Sequence, residues 1–139
     1  MKKVFALLLI SSLALTSCSS DDDGGSDGPV YSMVGKWNIT TYTIDGESTF
    51  KCSLNGTRQF KQDGTYLEDE FVEDEITGEC LETENSPLIG TWAKVNNSVN
   101  TNVMGTSKTY DLEFINENKF TLTESFNDID FVYTYSKIQ

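Results

Sequence analysis

Apolar and polar positions alternate through the second half of the chain, and this period of two predicts β-strands. The alternation runs along 108–115, 118–126 and 129–138, with short turns containing Asn, Asp or Gly between them. No long stretch shows the apolar period of about 3.6 residues that an amphipathic helix needs. The pattern therefore predicts an antiparallel meander.

The segment 34–45 predicts a long first strand. It combines β-branched and aromatic residues with a Gly35-Lys36-Trp37 start and an Asp45-Gly46 turn. The shorter segment Gly90-Thr91-Trp92 repeats this start later in the chain. The β-structure is therefore expected to begin twice in a similar way.

The pattern as a whole predicts eight strands. They are 34–45, 57–62, 65–72, 88–95, 98–104, 108–115, 118–126 and 129–138. Eight antiparallel strands close into a small barrel, and closure removes exposed sheet edges. The predicted fold class is all-β, an eight-stranded antiparallel up-and-down barrel.

The N-terminal residues are expected to lie outside this barrel. Lys2 and Lys3 precede a short apolar stretch, as in a secretory signal. Leu15-Thr16-Ser17-Cys18 resembles the bacterial lipoprotein signal, in which cleavage leaves an N-terminal cysteine that carries lipid. The resemblance implies a signal peptide at 1–17 and lipidation of Cys18. An ordinary secretory signal with an incidental cysteine is the alternative.

A flexible linker is predicted at 18–30 and a single globular domain at 31–139. The linker is acidic and rich in Ser and Gly. An acidic run behind the lipidated cysteine resembles the export signal of surface lipoproteins in Bacteroidetes-type bacteria. We therefore expect a lipid-anchored protein of the cell envelope, in the outer membrane and exposed at the surface; a plain acidic linker is the alternative.

The charge and the lack of histidine limit the kinds of partner and chemistry that we expect of this chain. The 139 residues carry 22 acidic and 10 basic side chains and no histidine, for a formal net charge of −12. Nucleic acid is not an expected partner, because phosphate binding needs clustered Lys and Arg. The lack of histidine excludes Ser-His-Asp and Cys-His catalysis and His-ligated zinc. No catalytic residue, metal site or cofactor is predicted, and the chain is not expected to be an enzyme.

Short motifs along 34–138 together resemble the small lipocalin-like domains of Bacteroidetes lipoproteins. They are Gly35-Lys36-Trp37, Asp45-Gly46, Cys52, the segment 60–66, Cys80, Gly90-Thr91-Trp92 and Tyr133-Thr134-Tyr135. In lipocalin-type barrels the first-strand Trp plugs one end and a late arginine stacks on it. The resemblance implies that Trp37 is the plug, and Lys137 stands where the arginine would be. We expect Trp92 to be a second plug; carbohydrate stacking is the alternative role for both tryptophans.

The last strands supply the expected ligand contacts. Their inward-facing residues are Tyr110, Leu112, Phe114, Phe120, Leu122, Phe131, Tyr133 and Tyr135. Either they surround a small apolar ligand or they fill the barrel. Glu124 interrupts the same face, either as a strand-end residue that reaches solvent or as a polar contact inside a pocket.

Two further features, a pair of cysteines and an acidic run, each have a main interpretation and an alternative. Cys52 and Cys80 are an even pair in an oxidising compartment and predict a disulfide; two free thiols or a metal pair are the alternatives. The acidic run 68–75 is expected to be solvated, and a calcium site is the alternative.

These observations predict a membrane-anchored lipoprotein whose lipocalin-like barrel binds a small apolar ligand. The alternative is a filled barrel that acts as a structural or protein-interaction module of the envelope. The expected partners are accordingly the membrane, through the N-terminal lipid, and either a small apolar ligand or an envelope protein.

Overall fold

The structure, a computed structural model, describes residues 30–49 and 52–139. The predicted signal peptide, Cys18 and nearly all of the predicted linker lie outside the described residues. Eleven strands and one short 3₁₀-helix lie within them. The strands are β1 (Gly35–Ile44), β2 (Glu47–Ser48), β3 (Thr57–Phe60), β4 (Thr65–Glu68), β5 (Phe71–Glu73), β6 (Cys80–Glu82), β7 (Leu88–Val95), β8 (Ser98–Val103), β9 (Thr106–Asn116), β10 (Lys119–Phe126) and β11 (Ile129–Lys137), and the 3₁₀-helix is Cys52–Asn55.

Eight of these strands close a barrel, which confirms the predicted fold class. Around the barrel the order is β1, β3, β4, β7, β8, β9, β10 and β11, and every neighbouring pair is antiparallel. The barrel closes where β11 pairs with β1, from Trp37 opposite Lys137 to Ile44 opposite Phe131. Closure leaves none of these eight strands with an unpaired long edge.

The strand predicted at 65–72 is wrong in its second half. β4 ends at Glu68, and the chain then leaves the barrel to form a separate hairpin in which β5 pairs with β6. Charge explains the break, because six carboxylates in the eight residues of 68–75 favour solvent over a barrel wall. The short β2, which pairs with the end of β1 after the Asp45–Gly46 turn, was also not predicted.

Tight turns join the strands where the sequence supplies residues that tolerate positive φ. Asp45 and Gly46 have φ values of 49° and 82°, as in the hairpin turn predicted from this dipeptide. Gly90 is required for another reason: a Cβ there would overlap the carbonyl oxygen of Asn102 on β8. Glycine at this point of the Trp92 segment therefore allows two strands to approach closely.

One end of the barrel is filled by aromatic side chains, and we call it the closed end. Trp37 is fully buried, its indole N–H donates to the carbonyl of Met33 at 2.8 Å, and its ring packs edge-on against Phe120 with centroids 4.6 Å apart. The Lys137 ammonium lies over the Trp37 ring, 5.5 Å from its centroid. Phe60 joins the same cluster, 6.2 Å from Phe120.

Trp92 belongs to this cluster too, although it is only partly buried. Its ring packs edge-on against Phe60 at 5.3 Å, and its indole N–H donates to the carbonyl of Lys61 at 2.8 Å. Trp92 therefore adds to the closed end. The opposite end of the barrel keeps its interior space.

A disulfide joins Cys52 in the 3₁₀-helix to Cys80 at the start of β6, as predicted. It links two segments outside the barrel wall, and β3, β4 and β5 lie in the chain between them. The β5–β6 hairpin is thus held at the end of the barrel where β4 finishes. Within the described ranges, no helix has the length and apolar character needed to cross a bilayer.

Candidate functional site

The barrel interior opens into a cavity of about 330 Å³ at the end opposite Trp37. Its deepest walls are Tyr66, Thr101, Leu122 and Tyr135, each less than 6% exposed. The rim consists of exposed residues, among them Glu70, Met104, Thr106 and Lys108. Leu88, Val103, Tyr110 and Tyr133 lie between these two levels.

Strand alternation and register bring the deep polar residues together. Arg58 shares a face of β3 with Phe60, so both side chains point into the barrel. Arg58 also pairs directly with Glu68 across the β3–β4 ladder, while Phe60 pairs with Tyr66. The same ladder thus joins Phe60 of the closed end to Tyr66 of the cavity wall and places the charged pair at the cavity.

The Arg58 guanidinium has several partners. Nη2 forms an ion pair with Glu68, and Nη1 donates to the backbone carbonyls of Thr57 at 3.1 Å and Asp69 at 3.0 Å. Arg58 also donates to the hydroxyl oxygen of Tyr135. Its side chain is only 12% exposed, so this cation needs its partners to compensate for lost hydration.

Four tyrosines, Tyr66, Tyr110, Tyr133 and Tyr135, line the same cavity. The Tyr66 hydroxyl donates to Glu68 Oε2 at 3.1 Å, and Tyr110 shares a hydrogen bond with Thr101. Tyr133 stacks on Tyr42 with ring centroids 4.5 Å apart, and their hydroxyls share a hydrogen bond. The cavity therefore has flat aromatic walls whose hydroxyls point to fixed partners.

Burial keeps these hydroxyls protonated. It raises the pKa of Tyr135 to about 12, although Arg58 opposes the shift, and it raises the pKa of Tyr66, Tyr110 and Tyr133 as well. Burial alone would lower the pKa of Arg58, but the surrounding tyrosines and Glu68 offset this and raise it above its ordinary value. The cavity floor thus contains one cation, one carboxylate and neutral hydroxyls.

Residues 33–122, more than half of the chain, match the lipocalin-like domain family. The chain belongs to the lipocalin-like family. A solved structure of the fluorescent protein UnaG, in a point-mutant form, is similar at a TM-score of 0.40 and 14% sequence identity, covering 77% of this chain and 96% of that one. The comparison with curated proteins gives no match.

This lipocalin-like barrel divides seven of the eight residues predicted to contact a ligand into two groups and leaves Phe131 outside both. Tyr110, Leu122, Tyr133 and Tyr135 line the cavity. Leu112, Phe114 and Phe120 pack towards the closed end, where Phe114 and Phe120 are 5.7 Å apart. Phe131 is partly buried opposite Ile44 and Glu124 and does not line the cavity.

The polar floor of the lipocalin-like cavity was missed from the sequence. Arg58, Tyr66, Glu68 and Thr101 were not among the predicted contacts. One signal was available: Arg58 is the only arginine in the chain, and alternation places it on the same strand face as the apolar Phe60. An inward-facing arginine requires a buried partner, and position 68 across the predicted hairpin supplies it.

Glu124, which interrupts the aromatic face of β10, lies at the rim. Its carboxylate accepts a hydrogen bond from Lys108 Nζ at 3.0 Å, and the two side chains are 25% and 42% exposed. Lys108 lines the cavity mouth. Glu124 is therefore partly exposed, as a strand-end residue would be, and it also makes a polar contact at the cavity mouth through Lys108.

The acidic run 68–75 does not converge on one point. Asp69 lies 3.7 Å from Lys36, Glu70 accepts from Thr83 at 3.3 Å, and Asp74 accepts the backbone N–H groups of Ile76 and Thr77. Across residues 30–49 and 52–139, no cluster of three or more His, Cys, Asp or Glu side chains is arranged to hold a metal ion.

Proposed function

We propose that the chain is a lipid-anchored envelope protein whose barrel binds one small ligand in the cavity at its open end. The observation that carries the proposal is the cavity volume of about 330 Å³, which reaches the roughly 300 Å³ at which small-molecule pockets begin. Small eight-stranded barrels have room for a single such ligand, as in lipocalins. The alternative of a completely filled barrel is disfavoured by the same volume.

The lining indicates what kind of ligand fits. Leu88, Val103 and Leu122 and the faces of the tyrosine rings offer apolar contact, and polar groups lie on the floor and at the rim. Pockets of this composition bind ligands that have an apolar body and few polar atoms. No catalytic role is proposed, because the Glu68 carboxylate is already engaged by Arg58 and Tyr66.

Ligand binding can be tested with the full chain carrying Cys18→Ser, which removes the predicted lipid attachment point. An apolar fluorophore that brightens in dry surroundings is titrated, and saturable uptake with one site per chain is expected. Val103→Trp should fill the cavity and abolish uptake, because Val103 lines it. Val95→Trp is the matched control, since Val95 is 59% exposed. Equal uptake by both variants would contradict a site in the cavity.

Anchoring is tested separately, by metabolic labelling of the wild-type chain with a radioactive fatty acid. Label in the wild type and none in Cys18→Ser is the expected result, because Cys18 directly follows the small residues of the lipoprotein-like signal. Surface exposure is then measured by adding protease to intact cells. Label that persists in Cys18→Ser would disprove anchoring through this cysteine.

A further inference from the structure

We propose that the cavity floor selects its ligand by charge, admitting an uncharged hydrogen-bonding head group such as a hydroxyl and rejecting a carboxylate. This inference rests on the proposed function and names the ligand class for the same site. It implies an amphipathic ligand that enters polar end first and leaves its apolar part between the middle walls and the rim.

The existing partners of the buried cation give the first argument. Arg58 would be the natural partner of an anionic ligand, but Glu68, two backbone carbonyls and Tyr135 already contact its guanidinium. An entering carboxylate would have to displace Glu68, which would then remain as an unpaired charge in a mostly buried position. Unpaired buried charges are strongly disfavoured.

The charges around the site give the second argument. Among the residues that line the cavity, Arg58 and Lys108 are balanced by Glu68 and Glu70. The rim lysine is in addition held by Glu124. A carboxylate on the ligand would therefore meet no uncompensated positive charge.

The hydroxyls of the floor give the third argument. Tyr66, Tyr110 and Tyr135 remain protonated because burial raises the pKa of each hydroxyl. Their oxygens, the Thr101 hydroxyl and the free lone pairs of Glu68 can exchange hydrogen bonds with a group that both donates and accepts. A hydroxyl does both, whereas a carboxylate only accepts.

The test compares two probes that differ in the head group, octanol and octanoate, as competitors of the bound fluorophore in the full chain with Cys18→Ser. In the otherwise wild-type protein, octanol is expected to bind roughly tenfold more tightly or better, since the carboxylate of octanoate leaves buried hydrogen-bonding groups unmatched. Glu68→Gln should reverse the order, because it leaves Arg58 with an uncompensated charge.

Glu70→Gln is the matched control. It removes the same charge from the lining but leaves the Arg58–Glu68 pair intact, so octanol should remain the preferred probe. Four results would each overturn the inference while fluorophore uptake persists. The wild type could prefer octanoate, it could bind both probes equally, or octanol could fail to displace the fluorophore. The fourth is that Glu68→Gln binds the two probes in the same order of affinity as the wild type. Loss of saturable fluorophore uptake in the wild type would instead overturn the proposed function.

Discussion

The two ends of the barrel have the same architecture but different chemistry. At the closed end, Trp37, Phe60 and Phe120 are fully buried and pack edge to face. At the open end, Arg58 and Glu68 form an ion pair beneath tyrosines whose hydroxyls are hydrogen-bonded. Strand β3 contributes to both sets, with Phe60 in the first and Arg58 in the second.

The difference shows how one small barrel combines stability with a cavity. Buried aromatic rings supply most of the hydrophobic free energy of folding without requiring polar partners. Buried polar groups add little net stability, yet they impose strong requirements on whatever enters. We expect substitutions at the closed end to act on folding, and substitutions at the open end to act also on ligand binding and on the pH dependence of stability.

The largest expected effect is at the closed end. Phe120→Ala should lower the free energy of unfolding by about 3–5 kcal/mol, because it leaves a void beside Trp37, Phe60 and Tyr135. Urea denaturation followed by tryptophan fluorescence measures the change. Phe126→Ala on the same strand is the control: Phe126 is 64% exposed, and its loss should cost less than about 0.5 kcal/mol. Similar losses in both variants would remove the distinction between core and surface on β10.

The next effect concerns the ion pair at the open end. Arg58→Met leaves the Glu68 carboxylate with Tyr66 as its remaining side-chain partner and should destabilise the protein by about 3 kcal/mol. The double variant Arg58→Met with Glu68→Leu should recover most of this loss, since replacing both charges by apolar groups is often close to neutral. The same denaturation assay applies. A double variant no more stable than Arg58→Met would show that the pair itself stabilises the fold.

Alkaline pH should destabilise the open end, where buried tyrosines can ionise, and leave the apolar closed end unaffected. The pKa of Tyr135 is raised from 10.0 to about 12 in the folded state, so the unfolded chain releases this proton first. This contribution to stability is complete below pH 10 and is lost as pH rises towards 12, by roughly 2–3 kcal/mol.

Tyr135→Phe should reduce the loss of stability in this window without abolishing it, because burial also raises the pKa of Tyr66, Tyr110 and Tyr133. Thermal unfolding at closely spaced pH values gives the measurement. An unchanged profile for Tyr135→Phe would mean that this hydroxyl does not control alkaline stability.

The smallest expected effect tests the polar cover of the closed end. Lys137→Met removes the ammonium above Trp37 and should cost about 0.5–1 kcal/mol. Lys137→Arg should match or exceed the wild type, because a planar guanidinium stacks on an indole. Lys61→Met, at an exposed position in the β3–β4 turn, controls for the loss of one charge. No loss in Lys137→Met relative to Lys61→Met would assign no stabilising role to this contact.

The strands of the barrel could be predicted because side-chain alternation and turn chemistry act locally. The eight predicted segments correspond to the eight barrel strands, since each follows a period of two and ends at turn residues such as Asp45-Gly46. The β5–β6 hairpin could not be found in this way. Its strands are only three residues long, too short to show a period of two, and they flank the charged segment 74–79.

The division of inward residues between core and cavity was the harder problem. Tyr110 and Phe114 share one face of β9, yet the first lines the cavity and the second packs on Phe120. Alternation tells which face is inside but not how deep along the barrel a residue lies. That depth is set by the register of each strand with its neighbours, which depends on the whole sheet. The polar floor was missed because Arg58, Tyr66 and Glu68 lie on β3 and β4, outside the late strands from which the ligand contacts were predicted.

The disulfide encloses much of the cavity floor in one segment of the chain. Residues 52 to 80 form a covalent ring with the Cys52–Cys80 bond, and Arg58, Tyr66, Glu68 and Glu70 all belong to it. The ring meets the rest of the barrel along two backbone ladders, β1 with β3 and β4 with β7, and through Phe60, which packs against Phe120 and Trp92. A ring that keeps Phe60 but carries other side chains at the cavity could therefore replace this one. The remaining six barrel strands would stay unchanged, and the ligand selectivity would change with the exchanged ring.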